Sequence, residues 1–249
     1  MMLEFDEQFG QSNKNKLVAS AKKFEAMIAK NDDVYFDEET FENLTEYFLT
    51  HGKNDLAEKA CSLGLQKYPY SLELLLNSVQ LKMNEGNFDQ ALELINDVRV
   101  FFPSDPEVIV FKGMILNQLG NYEEALEIFE SNLPLTEDKG LLYFQIAQTY
   151  QNLGSYRKAI EALKQVIHYD PKNDLAFYEL IFSLEFVGEL ENSIPYFNTL
   201  IDKDPYSAYT WYCLGMIYTR TQQYENAEQA YEYSTIVDKN YIQGWFHLQ

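Results

Sequence analysis

The chain has 249 residues, and its 39 aspartates and glutamates against 19 lysines and arginines give a formal net charge of −20. That charge argues against unaided binding to DNA or RNA backbones, which requires a basic surface, and it disfavours anionic membranes. Hydrophobic residues make up 46% of the chain, enough for a real core, while 11 glycines and 7 prolines are too few for a turn-rich all-β protein.

The N-terminal sequence MMLEFDEQFG is acidic and lacks the basic and apolar regions of a secretory signal. No stretch approaches the roughly 18 apolar residues that suggest a membrane-spanning helix. We therefore expect a cytoplasmic protein. Cys61 and Cys213 lie 152 residues apart, so they form no CxxC motif and no disulfide framework. Buried free thiols are the expected state of both.

Residues 1–37 precede the regular part of the sequence. Within them, residues 14–30 predict an amphipathic helix, because Leu17, Ala21, Phe24 and Ile28 share one face. We expect this helix to cap the first of the units that follow.

From residue 38 onward the sequence repeats every 34 residues. A glycine followed five residues later by a small residue marks each copy: Gly52 and Ala57, Gly86 and Ala91, Gly120 and Ala125, Gly154 and Ala159, Gly188 and Ser193. In the sixth copy Gln222 replaces the glycine, and Ala227 remains. Glycine can take a positive φ and close a turn between two helices, and the small residue lets those helices approach closely.

Two further columns follow the same period. Prolines occur at Pro69, Pro103, Pro171 and Pro205, and helix-capping residues at Asp37, Ser71, Asp105, Asn173 and Ser207. Lys139 and Tyr241 break the capping column. Apolar residues between these marks have helical spacing, as with Phe41, Leu44 and Phe48. Each unit is therefore predicted to be helix A, a tight turn and helix B. The six units are 38–71, 72–105, 106–139, 140–173, 174–207 and 208–241.

These columns resemble the tetratricopeptide repeat (TPR) family. The sixth unit carries the resemblance through Trp211, Leu214, Gly215, Tyr218, Tyr224, Ala227 and Tyr231, and the third through Gly113, Gly120, Tyr122, Ala125 and Phe129. It covers residues 38–249, about 85% of the chain. The resemblance implies an all-α fold, a right-handed α-solenoid of helix-turn-helix units that stack because one pair cannot bury its apolar face alone.

Two places depart from the pattern. Pro134 is expected to end helix B of the third unit early, before a turn that lacks the usual proline and cap; this predicts either altered helical pitch or a harmless variant turn. Pro195 is expected to kink helix B of the fifth unit mildly.

Residues 242–249 begin a seventh unit, with Trp245 and Leu248 in the aromatic and leucine columns. The faces of Tyr231 and Thr235 that would meet a next repeat are expected to be open. Either the natural chain continues, or this end associates with a second copy.

No pattern for catalysis, cofactors or metals is found. The three histidines have no Cys, Asp or Glu at a metal-ligand spacing, and GxSxG, Walker-type and GxGxxG motifs are absent. Adjacent acidic residues such as Glu123 and Glu124 are interpreted as solvated surface charge. We expect neither enzymatic activity nor a bound cofactor or metal ion.

The resemblance implies that partners lie along the concave face, which is lined by helix A one, four, eight and eleven residues after the start of each unit. The acidic end of this series comprises Glu39, Glu42, Glu46, Glu73 and Glu107. The predicted partner-binding residues are Val110, Met114, Asn117, Phe144, Gln148, Gln151, Tyr178, Phe182, Glu185, Tyr209, Tyr212 and Met216. The aromatic residues predict a hydrophobic anchor on the partner, in a basic or neutral context. The alternative is that these aromatics only pack against neighbouring units.

The helix A residues of this chain argue against one subclass of the family. Co-chaperone repeats that bind acidic EEVD tails use lysine, arginine and asparagine on helix A. The matching positions hold Glu42, Glu46, Asn77, Glu107 and Phe111, or, one unit later, Leu76, Gln80, Phe111, Leu141 and Gln145. Neither set contains a cation, so we expect no binding of such tails.

The leading hypothesis is a scaffold that binds a protein or peptide in the groove. One alternative is a regulatory sensor whose superhelical pitch responds to a peptide or ligand. Another is a substrate-positioning module of a longer enzyme.

Overall fold

The computed structural model describes the backbone of residues 2–30 and 35–239, and the side chains of residues 16–30 and 35–239. These residues form thirteen α-helices and one 3₁₀ turn, Glu191–Ser193. The helices are α1 Met2–Lys30, α2 Glu38–Thr50, α3 Asn54–Lys67, α4 Leu72–Asn84, α5 Phe88–Phe101, α6 Pro106–Gln118, α7 Tyr122–Asn132, α8 Lys139–Asn152, α9 Tyr156–Tyr169, α10 Asp174–Phe186, α11 Ile194–Lys203, α12 Ala208–Arg220 and α13 Tyr224–Val237.

The helices fall into two compact units, Met1–Asn121 and Tyr122–Gln249. From α2 onward, A and B helices alternate as predicted. The fold is therefore of the all-α solenoid type and is built from helix-turn-helix pairs. The A helices are α2, α4 and α6 in the first unit and α8, α10 and α12 in the second. The boundary falls within the third predicted repeat, since α6 and α7 belong to different units.

Helix α1 begins at Met2, well before the predicted start at residue 14. Its described apolar side chains Ala21, Phe24 and Met27 are buried in one cluster with residues of α2 and α3. The Phe24 ring lies 5.7 Å from the Phe48 ring of α2, centroid to centroid. The C-terminal half of α1 therefore covers the apolar face of the first helix pair.

The predicted turn geometry is confirmed. The five glycines in the repeat register have φ between +67° and +81°: Gly52, Gly86, Gly120, Gly154 and Gly188. Gln222, which takes the glycine's place in the sixth copy, has the same left-handed conformation at φ +62°. The small residues five positions later are all buried: Ala57, Ala91, Ala125, Ala159, Ser193 and Ala227. The turn thus imposes its backbone conformation even where the residue does not favour it.

The predicted capping residues are also confirmed. Asp37, Ser71, Asp105, Asn173 and Ser207 each accept a hydrogen bond from a backbone N–H in the first turn of the helix that follows. The expectation that helix α8 lacks a cap was wrong. Asp138, one residue before the expected column, accepts a hydrogen bond from the Leu141 backbone N–H at 2.9 Å. Helix α7 ends at Asn132, as Pro134 predicts.

Pro195 does not kink a helix as predicted. Residues Glu191–Ser193 form a 3₁₀ turn, and α11 begins only at Ile194. Pro195 therefore lies in the first helical turn, where its missing N–H has no intrahelical partner to lose. The same shift leaves α11 with 10 residues against 14 in α9.

At the C-terminal end, Tyr231 and Thr235 were expected to leave faces open for a further repeat. Both are buried, so that expectation was wrong. The seventh unit at 242–249, with Trp245 and Leu248, lies outside the described residues. Cys61 and Cys213 are both buried free thiols, as predicted. Burial raises the pKa of the Cys61 thiol to about 12, which keeps it protonated and unreactive at neutral pH.

Two glycines inside helices allow close packing. A Cβ on Gly64 would lie 2.8 Å from Leu74 Cδ1, and one on Gly215 would lie 2.5 Å from Tyr231 Cε1. The Tyr231 ring is held by its hydroxyl, which is 3.1 Å from Thr219 Oγ1. Helices α12 and α13 therefore approach more closely than any side chain at position 215 would allow.

We expect Gln222→Gly to stabilise the protein. The left-handed conformation costs a non-glycine residue roughly 1 kcal/mol or more, and glycine adopts it without strain. Thermal unfolding should show a higher melting temperature for Gln222→Gly. The adjacent Gln223→Gly is the control, because Gln223 has φ −94° and gains nothing from glycine. An unchanged or lower melting temperature for Gln222→Gly would contradict the strain assigned to this turn.

Gly215→Ala should destabilise the second unit by about 1–3 kcal/mol, because the added methyl group overpacks the α12–α13 contact. Gly140→Ala in α8 is the matched control, since its nearest contact would be 3.4 Å away at Asp138 Oδ1. Alanine's higher helix propensity should make that control neutral or slightly stabilising. Equal unfolding free energies for the two variants in denaturant titrations would show that Tyr231 moves aside freely.

Candidate functional site

The twelve predicted partner-binding residues all lie on A helices. In the first unit, α6 carries Val110, Met114 and Asn117. In the second unit, α8 carries Phe144, Gln148 and Gln151, α10 carries Tyr178, Phe182 and Glu185, and α12 carries Tyr209, Tyr212 and Met216. Three residues of the set therefore belong to one compact unit and nine to the other.

Val110 and Asn117 are poor candidates for partner contact. Val110 is 9% exposed and Asn117 is 4% exposed, whereas Met114, the third predicted residue on α6, is half-buried. The repeat register places Val110 and Asn117 correctly on helix A but does not report how deeply each position is covered. A buried side chain offers a partner almost no area, so these two positions contribute little surface to the proposed contact.

The second unit carries an exposed aromatic surface on α10. Tyr178 is 56% exposed, Phe182 is 44% exposed and Phe186 is 64% exposed. Tyr156, at the start of α9, stacks on Phe186 with ring centroids 3.9 Å apart, and its ring lies 6.2 Å from that of Phe182. We call Tyr178, Phe182, Phe186 and Tyr156 the α10 aromatic face.

Phe186 and Tyr156 were not among the predicted residues. A sequence signal for Phe186 exists, because it follows Phe182 by four residues, and residues at i and i+4 share a helix face. The repeat register favoured Glu185 instead. Tyr156 has no such signal, since it belongs to helix B and reaches Phe186 only through the packing of α9 against α10.

Polar contacts fix neighbouring A helices of the second unit to one another. Gln151 Nε2 of α8 donates to Glu179 Oε2 at 2.9 Å and to Ser183 Oγ at 3.0 Å, both on α10. Arg220 of α12 forms an ion pair with Glu185 of α10. Gln151 and Glu185, both predicted to contact a partner, therefore already join adjacent helices.

Helix α12 presents tyrosines that are engaged within the protein. Tyr209 Oη donates to the Asp174 carbonyl at 2.9 Å, and its ring lies 5.5 Å from that of Phe177. The rings of Tyr212 and Tyr231 are 5.8 Å apart. Burial raises the pKa of Tyr212, so its phenol stays neutral at physiological pH. Tyr209, Tyr212 and Met216 are half-buried and offer less surface than the α10 aromatic face.

Carboxylates converge in the first unit. The pKa of Glu73 is raised, first by desolvation and then by the negative charges of Glu107, Glu42 and Glu46. The hydroxyl of Ser71 donates to Glu42 Oε1 at 2.6 Å. These glutamates come from α2, α4 and α6, so the acidic positions predicted along the A helices do influence one another.

Among the described residues, no three His, Cys, Asp or Glu side chains are grouped so that they could hold a metal ion. Across residues 2–30 and 35–239, no helix combines the length and the apolar character required to span a bilayer.

Family models of the tetratricopeptide repeat match residues 76–136, 141–173 and 196–229, together about half of the chain. The chain is a tetratricopeptide repeat protein. The matched segments include α10's neighbours α9 and α12, which hold that helix in place.

The chain is similar to the TPR repeat-containing protein YpiA of Bacillus subtilis strain 168, with 28% identity over 123 residues. That alignment covers 48% of this chain but only 29% of YpiA, so the chain spans less than a third of this curated relative. The crystal structure of a tetratricopeptide repeat protein from Parabacteroides merdae matches 98% of this chain and 95% of its own, with 17% identity and a TM-score of 0.59.

A further solved structure is the C-terminal part of a TPR repeat-containing protein from Cytophaga hutchinsonii. It covers 95% of this chain and 96% of its own, at 15% identity and a TM-score of 0.56. At such identities these likenesses show the repeat fold.

The carboxylate cluster predicts a pH-dependent effect of Glu73→Gln. Because the folded-state pKa of Glu73 is raised, its ionised form destabilises the folded state at neutral pH. Removing the charge should therefore raise the melting temperature at pH 7. The gain should be lost as the pH falls through the raised pKa, and absent below the ordinary value of 4.5.

Melting curves between pH 7 and pH 4, at low and high salt, test this expectation. Glu228→Gln removes the same charge from an exposed position on α13 and serves as the control. A Glu73→Gln gain that persists unchanged in high salt or acid would mean that the neighbouring carboxylates are not its cause.

Proposed function

We propose that this protein is an interaction scaffold that binds a peptide or partner surface along its A helices, with the α10 aromatic face as the anchor site. The observation that carries the proposal is the exposure of Tyr178, Phe182 and Phe186 on a single helix. Contiguous exposed apolar surface is rare on soluble proteins and usually marks an interaction site.

The chemistry of the face suits protein recognition. Aromatic side chains provide large contact areas and have few rotatable bonds, so little entropy is lost when a partner covers them. Stacking with Tyr156 at 3.9 Å already restricts the Phe186 ring. The face is therefore preorganised, which reduces the entropic cost of binding.

The helices on either side of the α10 aromatic face are held in place as well. Gln151 connects α8 to α10, and the pair of Arg220 with Glu185 connects α12 to α10. These contacts keep α10 in register with its neighbours. A partner that lies on the α10 aromatic face can then also touch the half-buried groups of α8 and α12, such as Phe144 and Tyr212.

The acidic cluster of the first unit favours a basic or neutral partner segment. The charged form of Glu73 is destabilised by desolvation and then by Glu107, Glu42 and Glu46, and a cationic partner would relieve the repulsion among these carboxylates. Such charges act mainly on association rate and specificity. The same acidity disfavours acidic tails of the EEVD type.

The test begins with affinity capture on the intact chain and identification of the captured protein, followed by titration calorimetry. Phe182→Ala should weaken binding by about 2 kcal/mol, roughly thirty-fold, because truncating a central aromatic anchor typically has that cost. Tyr224→Ala is the matched control, since Tyr224 is an exposed aromatic on helix α13 and should leave affinity unchanged. Circular dichroism checks that helicity is retained.

Glu42→Lys tests the electrostatic part separately. Its effect should be smaller than that of Phe182→Ala and should diminish with added salt. If Phe182→Ala and Phe186→Ala both bind the captured partner with wild-type affinity, the α10 aromatic face is not the binding site and the proposal fails.

A further inference from the structure

A groove lies in the second compact unit, and none of the twelve predicted partner-binding residues lines it. Its volume is about 1030 Å³, at the upper end of the range for ligand pockets. It runs between α9 and α11 and includes the loops that follow them. We call it the α9–α11 groove.

Apolar residues form its floor. Ile167 of α9 and Phe177 of α10 are buried, and Leu200 of α11 is half-buried beside them. Lys164 of α9 reaches across the groove, with its Nζ 5.4 Å from the centre of the Tyr196 ring on α11. At the opposite rim Tyr206 is 84% exposed, so an aromatic edge borders the opening.

The charge of the lining differs from that of the chain. Three lysines and three carboxylates line the groove, whereas carboxylates outnumber cations two to one in the whole sequence, 39 to 19. Each of these carboxylates has a polar partner within the protein. Glu161 pairs with Lys164 at 2.8 Å, while Asp170 and Asp204 accept hydrogen bonds from the backbone N–H of Lys172 and Tyr206, at 3.2 and 3.1 Å.

The other two lysines have no such partner. No carboxylate of the described residues forms an ion pair with Lys172 or Lys203. Lys172 lies in the loop between α9 and α10, and Lys203 is the last residue of α11. Two lysines without an ion-pair partner among the described residues thus line a groove whose floor is apolar.

We propose that the α9–α11 groove binds an acidic peptide segment that carries an apolar anchor. The anchor packs on Leu200 and Tyr196, and the carboxylates of the peptide pair with Lys172 and Lys203. Such pairs are charge-assisted hydrogen bonds, stronger than those between neutral groups. This site is separate from the α10 aromatic face and selects the opposite charge from the acidic cluster on α2, α4 and α6.

Random decapeptides displayed on phage and selected on the full-length chain test the proposal. Enriched peptides are synthesised with fluorescein, and their affinity is measured by fluorescence anisotropy. We expect enrichment of aspartate and glutamate around a leucine or an aromatic residue. K172E/K203E should weaken these peptides about tenfold or more, and the neutral K172Q/K203Q should weaken them less.

The control K22E/K59E makes the same charge change at two exposed lysines of the first unit and should leave affinity nearly unchanged. F182A should also leave it unchanged, which separates this groove from the proposed scaffold site. Three results would overturn the inference. The selected peptides could lack enrichment in acidic residues. K172E/K203E could bind them with wild-type affinity, or F182A could lower their affinity in its place. Circular dichroism of each variant verifies that the helices are intact.

Discussion

The helix pairs of this protein depend on one backbone constraint, the positive φ of the residue that joins helix A to helix B. This conformation recurs at the repeat glycines and at Gln222. It turns the chain between helix A and helix B, and the small residue five positions later is buried. A single pair cannot bury its apolar face alone, so neighbouring pairs must share a core. The stability of each compact unit therefore rests on turns and small residues as much as on large apolar side chains.

The positive-φ turns also influence which aromatic side chains of the second unit stay exposed. Once the turns place the A helices of the second unit side by side, hydrogen bonds and an ion pair from Gln151, Glu185 and Arg220 keep them in register. These polar groups satisfy one another, and the aromatic residues between them stay exposed. Exposure of Tyr178, Phe182 and Phe186 is thus a consequence of how the repeat assigns side chains to faces, and the rigid support suits them to recognition.

Charge is distributed unevenly over the described residues. Desolvation, and then the negative charges of the glutamates on α2 and α6, raise the pKa of Glu73 on α4, which indicates repulsion among these carboxylates. The α9–α11 groove instead contains Lys172 and Lys203 without carboxylate partners among the described residues. The chain as a whole is strongly acidic, but three lysines balance three carboxylates in the lining of this groove.

Periodicity by itself determined most of the fold. The 34-residue spacing of glycines, small residues and capping residues predicts the helices, their turns and their caps, because each feature depends on local backbone geometry. The register did not predict two local shifts, of one and four residues: the cap at Asp138 and the late start of α11 at Ile194 depend on which nearby conformation packs best. The burial of Val110 and Asn117, the stacking of Tyr156 on Phe186 and the groove between α9 and α11 were decided only by tertiary structure. Each of these joins residues from different helices or depends on how deeply one helix covers another, and a one-dimensional register contains neither kind of information.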